Sequence, residues 1–95
     1  MSDTRQAISI TDQVTLPLNV LAIQGALQFR AYLQRYHLHP LNVAHASNVR
    51  YLTVWNVENG KPVSRANVAR VRLGLWRLTG VPFMAPLALL EQPGR

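Results

Sequence analysis

The chain has 95 residues, ten basic and four acidic side chains, a net charge of +6 and no cysteine. That length supports one small core, and the missing thiols exclude disulfides and Cys-based metal sites, which fits a reducing compartment such as the cytoplasm. The basic surplus points to a polyanionic partner and by itself leaves DNA, RNA and anionic lipid open.

No apolar run approaches the roughly 18 residues a membrane span needs. The opening MSDTRQ lacks the cationic start and apolar core of a secretory leader. Residues 7–16, AISITDQVTL, are rich in Ile, Thr and Val and partly alternate, so residues 1–17 are expected to form an extended arm with a possible short strand, ended by Pro17. The globular unit is expected over 18–91, with 92–95 as a frayed end.

A first helix is expected from Asn19 to about His37. Its apolar stripe, Val20, Ile23, Leu27, Ala31 and the Tyr32/Leu33 pair, is expected to face the core. Gly25 weakens this helix by about 1 kcal/mol relative to Ala but permits close packing. Pro40 suits the first position of a second helix, where a missing N–H costs nothing.

Val43 to Gly60, VAHASNVRYLTVWNVENG, carries the densest pattern. Small residues at Ala44, Ala46 and Ser47 allow two helices to cross closely. Asn48 stands where a turn needs positive φ, which Asn tolerates best after Gly. Val49 plugs the turn, and Val54 and Val57 recur at helical spacing. Asn59-Gly60 closes the third helix and Pro62 forbids its continuation. A fourth helix is expected over Ser64–Leu78, with Val68, Val71, Leu75 and Leu78 inward, and a fifth over about Phe83–Leu90, with Pro86 in its first turn.

This segment resembles the lambda-repressor-like (Xre/Cro-type) helix-turn-helix family. Val43-Ala44 stand at that family's L-A pair, Asn48-Val49 at G-V, Thr53-Val54 at T-I, and Glu58, Gly60 and Lys61 at E, G and K, with no gap. Leu38 and Pro40-Leu41 fit the lead-in. Leu75, Leu78 and Gly80-Val81 resemble the close of the fourth helix, made one residue longer by Thr79. Arg50 departs from the family's Ser/Thr cap. The Arg that the family often pairs with its Glu would fall at Leu33.

The resemblance implies an all-α, five-helix DNA-binding domain whose third helix enters the major groove. Arg50, Tyr51, Leu52, Trp55 and Asn56 are then the groove-facing residues, and Lys61 and Arg65 flank the sugar-phosphate backbone. Arg70, Arg72 and Arg77 are expected mainly to keep the fourth helix solvated. Phe83, Met84, Leu87, Leu89 and Leu90 offer apolar surface for a homodimer contact. The function so implied is sequence-specific repression at a palindromic operator. The alternative is a protein-interaction module, such as an antitoxin or an assembly subunit, using the apolar face formed by Tyr51, Leu52 and Trp55. RNA binding is a third reading.

Enzymatic chemistry is not expected, nor is a cofactor. The carboxylates are Asp3, Asp12, Glu58 and Glu91, too scattered for a paired mechanism. No Gly-rich phosphate loop precedes a helix. His37, His39 and His45 lack the partners of a zinc site, with His39 expected at a helix cap.

Overall fold

The computed structural model describes residues 18–90. Among them are four helices: α1 (Leu18–Arg35), α2 (Pro40–Ser47), α3 (Tyr51–Glu58) and α4 (Arg65–Thr79). The expected arm over 1–17 and the frayed end over 92–95 lie outside the described residues.

Each of the first three helices ends on a residue in the left-handed region: His37 (φ 55°), Asn48 (φ 57°) and Gly60 (φ 71°). In every case the next N–H reaches back five residues, Leu38 to the Leu33 carbonyl (2.8 Å), Val49 to Ala44 (3.1 Å) and Lys61 to Asn56 (2.8 Å). This arrangement satisfies carbonyls that a helix end would otherwise orphan. Asn48 and Gly60 stand where the turn chemistry predicts them. His37 is a rarer choice at such a site, and α1 accordingly stops two residues short of the expected His37. Gly80 (φ 76°) closes α4, donating to the Trp76 carbonyl (2.7 Å).

The helix starts differ in their caps. Pro40 opens α2 behind His39, whose Nδ1 accepts from the Leu41 N–H (3.0 Å). Ser64 Oγ accepts from the Asn67 N–H at the head of α4 (3.1 Å). Arg50 precedes α3 in extended conformation without a side-chain cap.

The core gathers Phe29, Tyr32 and Leu33 of α1, Val43 and Ala44 of α2, Val54 and Val57 of α3, and Val68, Val71 and Leu75 of α4, together with Val63 and Phe83. The inward side of α1 is therefore Ala26, Phe29, Tyr32 and Leu33. Ile23 (54% exposed) and Leu27 (59%) turn outward with Ala31, contrary to the expected stripe. Helix α1 is apolar on more than one side, so periodicity alone does not choose between them. Its glycine and alanines choose: Ala26 meets Gly60, and Gly25 meets Pro86 so closely that a Cβ there would strike the Pro86 carbonyl. Leu78, also expected inward, is 41% exposed at the edge of the buried arc.

Helix α2 lies against α4 at one tight crossing. A Cβ on Gly74 would fall onto the Ser47 side chain and 2.8 Å from its Cα. Ser47 Oγ is buried there and finds no hydrogen-bond partner among the described residues.

The expected fifth helix is absent. Residues 81–90 form an extended strap that makes an isolated parallel bridge through Leu89 to Val63. Val63 N–H donates to the Ala88 carbonyl and Leu90 N–H to the Val63 carbonyl, both at 3.0 Å. Pro82 and Pro86 restrict the backbone, and Phe83 between them is drawn into the core at 5% exposure. Its ring packs edge-on against Phe29 (5.6 Å between centroids) and Tyr32 (5.4 Å). Arg72 donates to the carbonyls of Phe83 (2.7 Å) and Ala85 (2.9 Å), giving the non-helical backbone partners. Burial lowers the pKa of its guanidinium. The Tyr32 hydroxyl secures the exit from α4 through the Val81 carbonyl and Thr79 Oγ1.

Candidate nucleic-acid interface

Helix α3 is held from behind and bare in front. Val54 and Val57 are buried beneath it. Tyr51 (45% exposed), Leu52 (59%) and Trp55 (39%) face outward. Asn56 is half-buried, and Arg50, Lys61 and Arg65 are exposed. The Lys61 ammonium sits 5.8 Å from the centre of the Trp55 indole, within cation–π range. Five of the seven expected groove-side residues thus lie on or just before α3. Lys61 lies in the following loop, beside Trp55, and Arg65 opens α4.

Arg30 of α1 steadies the far end of α3. Its Nε donates to the Glu58 backbone carbonyl (2.7 Å), and its Nη2 donates to Asn59 Oδ1 (3.1 Å). A cation there meets the negative end of the helix dipole. The family pattern places an arginine at Leu33, which leaves Glu58 without a named partner in the sequence. The structure supplies Arg30, three residues earlier on α1, and directs it to the backbone. The three-residue helical spacing between Arg30 and Leu33 is the signal that could have found it. Burial pushes the Glu58 carboxyl above its ordinary value of 4.5, against the pull of Arg30 and then His39.

Charge is concentrated in the described region. Eight of the ten basic residues fall within 18–90, against Glu58 as the one acidic residue there. No group of three His, Asp or Glu side chains comes together among the described residues. His39 is occupied as a cap, as its position predicts, while His45 is exposed on α2. No helix among these residues is long and apolar enough to cross a membrane.

The expected dimer residues divide. Phe83 belongs to the core and Leu87 is half-buried against it. The burial of Phe83 removes it from any surface contact, because its ring completes an aromatic cluster inside the monomer. Met84 (75% exposed), Leu89 (40%) and Leu90 (49%) remain outside. An open groove of about 610 Å³ runs between α1 and the strap, over Tyr32, Arg35, Tyr36 and Met84, and shares no residue with α3.

No protein-family model matches the chain, and no curated protein or solved structure matches it significantly.

Proposed function

We propose that the chain binds double-stranded DNA sequence-specifically and acts as a repressor, occupying a palindromic operator as a homodimer with α3 in the major groove. The observation that carries this reading is the pairing of two eight-residue helices through a left-handed Asn48, with the second helix exposed along its outer side beside Arg50, Lys61 and Arg65. That arrangement suits the lambda-repressor-like pattern found in Val43–Lys61. Arg50 bonds guanine or a phosphate, Asn56 pairs with adenine through its amide, and Leu52 touches a thymine methyl. Tyr51, Lys61 and Arg65 hold phosphates, and Trp55 packs at the backbone edge under Lys61. Two protomers then read half-sites about 34 Å apart, with Met84, Leu89 and Leu90 as the apolar surface left for the dimer.

The test is selection of bound duplexes from a random pool, followed by titration of the selected site at several salt concentrations. A palindromic consensus is expected. Replacing Lys61 or Arg65 with Ala should reduce the salt slope by about 0.9 for each phosphate that is no longer neutralised. Equal affinity for every duplex would refute operator recognition.

A second reading rests on the apolarity of the same face. Tyr51, Leu52 and Trp55 suit the centre of a protein interface better than most base-reading helices do. Failure to bind any duplex at low salt would transfer the face to a protein partner.

A further inference from the structure

Among the described residues, helix α4 carries a second face that no other element covers, separate from α3. Its buried side is Val68, Val71, Gly74 and Leu75. At 3.6 residues per turn, Ala66, Ala69, Leu73, Trp76, Arg70 and Arg77 occupy roughly a third of the circumference on the other side. All six are exposed, with Leu73 at 45% and Trp76 at 53%. Angular order matters here. Trp76, Ala69, Leu73 and Ala66 form an apolar strip, and Arg77 and Arg70 line one edge of it. The Arg70 guanidinium is steadied by Asn67 Oδ1 (3.1 Å).

We propose that this face docks an amphipathic helix of a partner protein, one with an apolar stripe and Asp or Glu along one flank. The alanines let a helix backbone approach closely, Leu73 and Trp76 supply the anchors, and Arg70 and Arg77 meet the acidic flank. Fifteen residues make α4 about 22 Å long, room for four turns of a partner. Three other occupants fit worse. A second copy would bring arginine against arginine, and the described region has only Glu58 to offer in exchange. Duplex DNA would pair with the arginines and leave Trp76 and Leu73 uncovered. A bilayer surface is best held by a continuous band of bulky apolar residues, whereas half of this strip is alanine.

The experiment titrates the full ¹⁵N-labelled chain with a designed helical peptide carrying a leucine stripe and a glutamate flank. Controls are the same peptide with lysine for glutamate, and vesicles of phosphatidylcholine and phosphatidylglycerol. The acidic peptide should shift the amide signals of Ala66–Arg77. Trp76→Ala and the Arg70→Glu/Arg77→Glu double variant should each weaken binding at least about tenfold, the loss typical of a hot spot. All replaced side chains are exposed, so the melting temperatures should stay near that of the parent. Equal binding of the two peptides, full affinity in Trp76→Ala, or shifts confined to other elements would overturn the proposal. So would Trp76-dependent binding to the vesicles without binding to the peptide, which would assign the face to membranes.

Discussion

Two apolar segments of this chain are put to opposite uses. Helix α3 presents Tyr51, Leu52 and Trp55 to solvent, whereas the strap over 81–90 sends Phe83 into the core. The backbone explains the difference. A helix satisfies its own N–H and C=O groups, so α3 needs only Val54 and Val57 to hold it and can leave its other side chains free. An extended segment with two prolines cannot satisfy itself, and buried backbone groups must find partners. Here Val63 and Arg72 provide them, and this ties the strap to the body of the protein. The outward apolar residues of α3 are therefore spare as far as folding is concerned, while the inward one of the strap is not.

The largest effect expected from this contrast is on stability. Phe83→Ala should cost about 3–5 kcal/mol in urea unfolding, as for other fully packed aromatics. Leu52→Ala should stay within about 0.5 kcal/mol. Comparable losses in the two variants would break the contrast. Next comes the α2–α4 crossing that holds the α3 unit. Gly74→Ala drives a methyl into Ser47 and should cost about 1–3 kcal/mol. Adding Ser47→Gly should recover only part of that loss, because it removes the clashing side chain but leaves the Ser47 Cα 2.8 Å from the new methyl. No recovery at all would show that the crossing is not set by this pair of residues. Arg72→Met should cost about 1.5 kcal/mol by leaving the Phe83 and Ala85 carbonyls without their charged donor. Faster amide exchange confined to the strap would sharpen the assignment.

The smallest effect concerns Glu58. Its folded pKa is raised, so its stability contribution is full below the unfolded value near 4.5 and is lost as pH rises through the folded value. A neutral Glu58→Gln variant should thus melt slightly above the parent at pH 7, with the gap closing below about pH 4. A gap that widens on acidification would reverse this reading.

Much of the helical half is legible in the sequence because its signals are local. Asn48, Gly60 and Gly80 mark helix ends through their tolerance of positive φ, Pro40 and Ser64 mark helix starts, and Val54, Val57, Val68, Val71 and Leu75 keep a clear period. Arg50 also shows its missing cap in advance. The strap is not legible in the same way. Phe83–Leu90 contains enough Leu, Ala and Met to pass as a helix, and the features that prevent it are tertiary. They are the Gly25 seat for Pro86, the reach of Arg72, and the aromatic pocket formed with Phe29 and Tyr32. Helix α1 shows a related ambiguity, since Ile23/Leu27 and Ala26/Phe29 are both plausible inner faces until Gly25 and Gly60 are seen to need close neighbours. At the candidate interface the outward residues of α3 follow from Val54 and Val57 facing inward, but the support from Arg30 depends on how α1 crosses the end of that helix.

The central claim is that the outer side of α3 engages duplex DNA. The direct measurement is fluorescence anisotropy of labelled duplex with the parent chain and an Arg50→Ala/Asn56→Ala variant, at low and moderate salt. Salt-sensitive binding by the parent, clearly weakened in the variant while its melting temperature is unchanged, is the predicted result. Identical binding by the two proteins, or none by the parent at low salt, would contradict it.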